Sequence, residues 1–160
     1  MRILFVLALA AGFFSLPAGT GNLEIYFIDA GQGDSTLLIA PTGETFLFDG
    51  GDNGDGNADV IPLLNSLGIS QLDYVGVSHY HADHLGGLDE VWNAGITATV
   101  ALDRGFNNVP GTQSYNGYSN RYSSVRQAVT PGQVINLGGG VTLTCIVANG
   151  DLIGGGSVNI

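Results

Sequence analysis

The chain has 160 residues, with 14 Asp and Glu against 4 Lys and Arg, and a formal net charge of −10. It is 44% hydrophobic and 11% charged, and 26 of its residues are Gly, well above the usual share of about 7%. Such a chain is too apolar for intrinsic disorder, too poor in cations for a dedicated nucleic-acid-binding module, and its single Cys excludes an intrachain disulfide.

The N-terminus comes first. Arg2 precedes an unbroken apolar run from Ile3 to Phe14, and Ser15, Leu16, Pro17, Ala18 and Gly19 follow. One cation, a short apolar run and a small-residue exit predict a secretory signal peptide over residues 1–21. Gly19 and Gly21 at the −3 and −1 positions fit cleavage before Asn22, with cleavage after Ala18 as the weaker choice. The run is short for a membrane span, which needs about 20 apolar residues. A secreted or periplasmic domain over residues 22–160 is therefore expected, with an N-terminal membrane anchor as the alternative. Loss of Arg2 would leave a strongly acidic surface, which repels polyanions at long range.

Further elements follow in chain order. Strands are predicted over residues 23–28, 36–39 and 45–48, joined by the glycine turn Ala30–Ser35 and the hairpin turn Pro41–Glu44, as an antiparallel meander. Asp59–Leu67 has Val60, Leu63, Leu64 and Leu67 at helical spacing, with Asp59 as its cap and Gly68 as its stop. A buried strand over residues 72–77 leads into His79, and a helix is predicted over residues 85–94. After a strand over residues 96–102, residues 103–120 read as a lid loop and residues 119–129 as a helix. Strands over residues 133–136 and 141–147 precede a turn-rich end. Cys145 shares a face with Val141, Leu143 and Val147 and is expected in the core. The acidic loop Asp52–Asp59 does not match the calcium-loop register and reads as a rim loop. Tyr115, Tyr118, Arg121, Tyr122 and Arg126 place aromatics beside cations, either to stack bases and hold phosphate or as a solvated helix face.

Chemistry concentrates in residues 79–84. All 3 His of the chain lie there, with one Asp, in the pattern H-x-H-x-D-H. His is the commonest metal ligand, and two imidazoles plus an imidazole–carboxylate pair suit Zn²⁺ best, with Mn²⁺ or Fe as alternatives. His79, His81, Asp83 and His84 are the candidate metal ligands. Gln32 and Asp34, in the glycine turn, are candidate rim or substrate residues.

The segment SHYHADHLGGL (Ser78–Leu88) resembles the signature of the metallo-β-lactamase fold superfamily. Together with FIDAGQGDSTLLI (Phe27–Ile39), FLFDGG (Phe46–Gly51) and VIPLLNSLGISQLDYVGV (Val60–Val77), it is similar to the domain found in ComEC-type DNA-uptake proteins and in their stand-alone secreted relatives. The resemblance implies an α/β (α+β) fold, a four-layer αββα sandwich, of which this chain would supply the first half. It implies a dinuclear site in which His79 and His81 bind one metal and Asp83 and His84 a second, with two Zn²⁺ per complete site. Asp49 would orient the metal loop from behind the ligands, and the metals would activate a water for hydrolysis. Asp83 would also assist proton transfer. The expected activity is that of an exported metal-dependent hydrolase, a phosphoesterase or other ester hydrolase, acting on a small molecule or a phosphodiester. The acidity disfavours long nucleic acid. No His follows His84, so half the usual ligand set is absent. The chain is accordingly expected to be incomplete at its C-terminus and to need the missing half of the fold. The competing reading is a non-catalytic metal-binding or interaction domain.

Overall fold

A computed structural model describes residues 19–157. The predicted leader therefore lies outside the described residues except at Gly19–Gly21, where the Gly21 N–H donates to the Pro41 carbonyl at 3.1 Å. No described helix is long and apolar enough to cross a membrane.

Six strands form one mixed sheet in sequence order: β1 (Glu24–Phe27), β2 (Thr36–Ile39), β3 (Thr45–Phe48), β4 (Gln71–Gly76), β5 (Thr97–Asp103) and β6 (Arg126–Ala128). The first three pair antiparallel, as their short turns dictate; β3 to β6 pair parallel, with helical crossovers between them. A π-helical turn, Gly56–Val60, runs into α1 (Ile61–Ser66). Gly68, at φ 71°, ends α1 in the left-handed conformation that a side chain disfavours. Helices α2 (Ala82–Leu85) and α3 (Leu88–Asn93) connect β4 to β5, and α4 (Gln113–Arg121) connects β5 to β6. The hairpin β7 (Val134–Gly138) and β8 (Val141–Thr144) and the short pair β9 (Val147–Ala148) and β10 (Asp151–Leu152) complete the described chain.

The two faces of the sheet pack against different partners. Leu37, Leu47, Val75 and Ala101 pack against Val60, Leu64, Leu85, Leu88, Val91 and the rings of Tyr115, Tyr118 and Tyr122 from the helices. On the other face Leu38, Phe46, Tyr74 and Leu102 pack against Ile135, Leu137, Val141 and Leu143 of the β7–β8 hairpin. Helices, a six-stranded sheet and a second, smaller sheet thus stack in three layers among the described residues. The hairpin covers that face incompletely. A cleft of about 1150 Å³ runs between Leu38, Phe46, Phe48 and Leu102 of the sheet and Leu143 and Cys145 beyond it; large open clefts of this kind are where ligands are taken up.

Several sequence expectations are corrected. The helix expected over residues 119–129 lies earlier, as α4, where Thr112 caps it by accepting from the Tyr115 N–H at 3.3 Å. Residues 126–128 are instead drawn into the sheet by pairing with Ala101–Asp103, a non-local contact that local periodicity does not record. Only residues 104–112 of the supposed lid remain outside regular structure. Asp59 does not cap a helix, because the helical turn begins at Gly56 and Asp59 lies inside it. The helix over residues 85–94 is divided at Gly86–Gly87 into α2 and α3. Cys145 is only half-buried and lines the cleft, since the hairpin's inner face is not fully covered.

Candidate metal centre

The site forms where the parallel strands end. In such sheets the C-terminal strand ends and the loops leaving them are free to carry ligands. Asp49 follows β3, Ser78 and His79 follow β4 by two and three residues, and Arg104 follows β5.

Main-chain contacts fix the loops to one another. The Asp34 N–H donates to the Asp83 carbonyl (3.2 Å), Gly51 N–H to the Asp34 carbonyl (3.0 Å), Gly50 N–H to the His84 carbonyl (2.6 Å) and Gly87 N–H to the Gly51 carbonyl (3.2 Å). A Cβ at Gly33 would overlap the Asp83 carbonyl, so the glycine turn can lie directly on the histidine-bearing loop only without a side chain.

Asp49 is the buried centre of this arrangement, at 1% exposure and in the left-handed region (φ 59°). Such a backbone is strained for most residues and tolerated best by Asp and Asn. Its Oδ1 accepts from the Ser78 N–H at 2.8 Å; its Oδ2 accepts from Ser78 Oγ at 2.6 Å and from His84 Nδ1 at 2.9 Å. Burial pushes the Asp49 carboxyl up, while the bonds from Ser78 and His84 pull it back. Because a carboxylate occupies Nδ1, the proton of a neutral His84 ring belongs there and its Nε2 lone pair is free, the tautomer a metal ligand needs.

The other ligand candidates lie alongside. His79 Nε2 stands 3.0 Å from His81 Nδ1. Two nitrogens on a tetrahedral ion, each at about 2.0–2.1 Å, stand roughly 3.3 Å apart, so this pair fits a shared ion. Asp83 Oδ2 lies 3.9 Å from His84 Nε2, a wider but similar pairing. Burial, followed by the neighbouring His84 and His81, lowers the His79 ring below the ordinary imidazole range, so it is neutral at pH 7 and able to coordinate. The four donors stand as two pairs; among the described residues no three or more His, Cys, Asp or Glu form one closed group.

Asp34 is at the rim, 80% exposed, with Oδ2 3.9 Å from His84 Nδ1. Gln32 is exposed in the same turn and is not tied to the ligands by any hydrogen bond among the described residues. The aromatic–cation segment is not a nucleotide platform. Tyr115, Tyr118 and Tyr122 are buried, and Arg126 is 4% exposed in its side chain and ion-paired to Asp103 at 2.7 Å. Tyr118 Oη also donates to Asp103 (2.8 Å), and Arg126 Nη2 donates to Tyr80 Oη (3.2 Å). Sequence reasoning did not single out Ser78 or Arg104. The available signal was position: each lies just beyond the C-terminal end of a parallel strand.

This fold and the clustered H-x-H-x-D-H motif are those of a hydrolase-like domain. The chain belongs to the metallo-β-lactamase superfamily, whose family model matches residues 28–145. It is 35% identical over 98 residues to competence protein ComA of Neisseria gonorrhoeae, covering 56% of this chain and 14% of that protein. It is also 35% identical over 72 residues to the uncharacterized protein YcaI of Escherichia coli K12, covering 42% of this chain and 9% of the relative. The chain thus corresponds to a small part of the length of these curated relatives. The crystal structure of metallo-β-lactamase SMB-1 bound to 2-mercaptoethanesulfonate is similar at 21% identity and a TM-score of 0.45, covering 77% of this chain and 50% of that one.

Proposed function

We propose that this domain is an exported, metal-dependent hydrolase of phosphate esters, with His79 and His81 holding one metal ion and Asp83 and His84 a second. Zn²⁺ suits these donors best, ahead of Mn²⁺ or Fe. The observation that carries the reading is the 3.0 Å approach of His79 Nε2 to His81 Nδ1 beside a His84 ring oriented by Asp49. Metal ions held there supply Lewis-acid polarisation of the scissile bond and a nucleophilic water near neutral pH. Asp49 holds the His84 ring with Nε2 directed to its task, and Ser78 keeps Asp49 in place. Asp83, 28% exposed in its side chain, is the carboxylate able to accept a proton and pass it to solvent. The phosphodiester preference rests on the resemblance to the DNA-uptake family; the net charge of −10 favours a small substrate over long nucleic acid.

Metal analysis of the purified chain, combined with a panel of bis(p-nitrophenyl) phosphate, a lactone and a β-lactam, tests this reading. Bound metal and turnover of the phosphodiester are expected, with both abolished by a chelator and by His81→Ala. Unchanged turnover in His81→Ala at full metal content would overturn the ligand assignment. The paired rather than closed arrangement of the donors favours a second reading, metal binding without turnover; it predicts stoichiometric metal and no activity across the panel. Export is tested separately by N-terminal sequencing of the protein recovered outside the cytoplasm. Asn22 is the expected first residue, and a product beginning at Met1 would contradict cleavage.

A further inference from the structure

We propose that Arg104 is an anion-binding residue of the cleft, taking an oxyanion of the substrate, a phosphoryl group in the reading above. Arg104 lines the same cleft as His79 and His81. Its guanidinium carbon lies 4.4 Å from the centroid of the Tyr80 ring, on the residue between those two histidines. It is half-buried, and among the described residues no carboxylate lies within ion-pair distance of it. Arg126, by contrast, is neutralised by Asp103. In a chain of net charge −10, a cation left free of carboxylates beside the candidate metal ligands is a local reversal of the surface field.

The guanidinium is also held in one orientation. Nη1 donates to the Asn107 carbonyl and to Asn149 Oδ1, and Nη2 donates to the Asn108 carbonyl, each at 3.0 Å. Three of its five N–H groups are thereby used by neutral acceptors, which fix the plane without cancelling the charge. The remaining two have no protein acceptor among the described residues and suit the paired oxygens of a phosphate or carboxylate. Asn108 and Asn149 both adopt positive φ, 51° and 56°, and with Asp49 they are the non-glycine residues described in that region. Backbone strain of this kind gathers at functional sites, and here it falls on two residues that aim Arg104 and on the one that aims His84.

The substrate chemistry rests on the hydrolase reading; anion binding does not. Inorganic phosphate titrated calorimetrically into the full chain is the direct probe. Arg104→Gln is expected to weaken phosphate binding by about 10-fold or more, the scale of a lost charge-assisted hydrogen bond, with Arg104→Lys between the two. With bis(p-nitrophenyl) phosphate the Arg104→Gln KM is expected to rise by a similar factor at nearly constant kcat, while turnover of neutral p-nitrophenyl acetate falls by a clearly smaller factor. Equal losses on both esters, unaltered phosphate affinity, or no phosphate binding by the unsubstituted chain would overturn the assignment. If neither ester is turned over, the hydrolase reading fails while the phosphate titration still decides Arg104. Should Arg104→Gln fail to fold, phosphate protection of Arg104 from phenylglyoxal in the unsubstituted chain replaces it; modification at equal rates with and without phosphate counts against the proposal.

Discussion

Arg126→Leu is expected to cost about 3–5 kcal/mol of folding stability, the range for breaking one side of a buried ion pair. The partners are 4% and 0% exposed in their side chains, with Arg126 Nε 2.7 Å from Asp103 Oδ2. Removing the guanidinium leaves the Asp103 carboxylate buried with the Tyr118 hydroxyl (2.8 Å) and the Gly105 N–H (2.8 Å) as its remaining donors. Those two bonds place the loss toward the lower end. Stacking over Phe106, Tyr115 and Tyr118 disappears with it. For a domain whose whole stability is of order 5–15 kcal/mol, this is a large fraction. The effect extends to the site, because Tyr80, between His79 and His81, accepts from Arg126 Nη2 and donates to the Gly105 carbonyl at 2.6 Å. Urea unfolding checks the magnitude, and a loss below about 1 kcal/mol would place the pair among those of no net value. Replacing both partners by Leu is expected to recover part of the loss, since it removes the stranded charge.

Asp49→Asn is expected to lower metal affinity about 10–100-fold, the usual effect of removing an orienting partner behind a ligand histidine. Asn fits the same volume and tolerates the φ of 59°, so gross folding survives. Its single carbonyl oxygen can still accept from Ser78, but the amide NH₂ then faces His84 Nδ1. Two donors cannot share that contact, so the ring must shift its proton to Nε2, which removes the free lone pair there, or turn, which misdirects it. Competition with a chromogenic chelator measures the affinity, and circular dichroism guards against unfolding. Affinity within about twofold of the unsubstituted chain would remove Asp49 from its orienting role, since such partners ordinarily matter more.

What could be read without coordinates follows the range of the determining contacts. Strands β2 and β3 fall at their predicted bounds because Pro41-Thr42-Gly43 encodes the turn between them locally. The H-x-H-x-D-H cluster is visible without coordinates because its residues are contiguous in the chain. Helix α4 is not, because Gln113-Ser114-Tyr115-Asn116-Gly117 is a weak helix former, and the segment is held by the packing of Tyr115 and Tyr118 against the sheet. Arg126 looks from sequence like an exposed cation beside aromatics. Its burial depends on Asp103, which reaches it only once β5 and β6 pair. Arg104 carries no motif at all; its place beside the histidines emerges from the order of strands in the sheet.

The ties among residues 34, 50, 51, 83, 84 and 87 run from peptide to peptide. Such a scaffold positions Asp83 and His84 through backbone shape and is largely indifferent to which side chains decorate the loops above it. Gln32, Asp52 and Asn53 are exposed on those loops. Among the described residues, none of these three side chains hydrogen-bonds His84 or Asp83, although Asn53 Nδ2 donates to Ser114 Oγ at 3.0 Å, whereas a side chain at Gly33 would displace the Asp83 carbonyl. The placement of His84 and Asp83 and the chemistry of the rim are therefore separable under mutation: side chains on the loops can be rewritten while the backbone platform beneath them stays still.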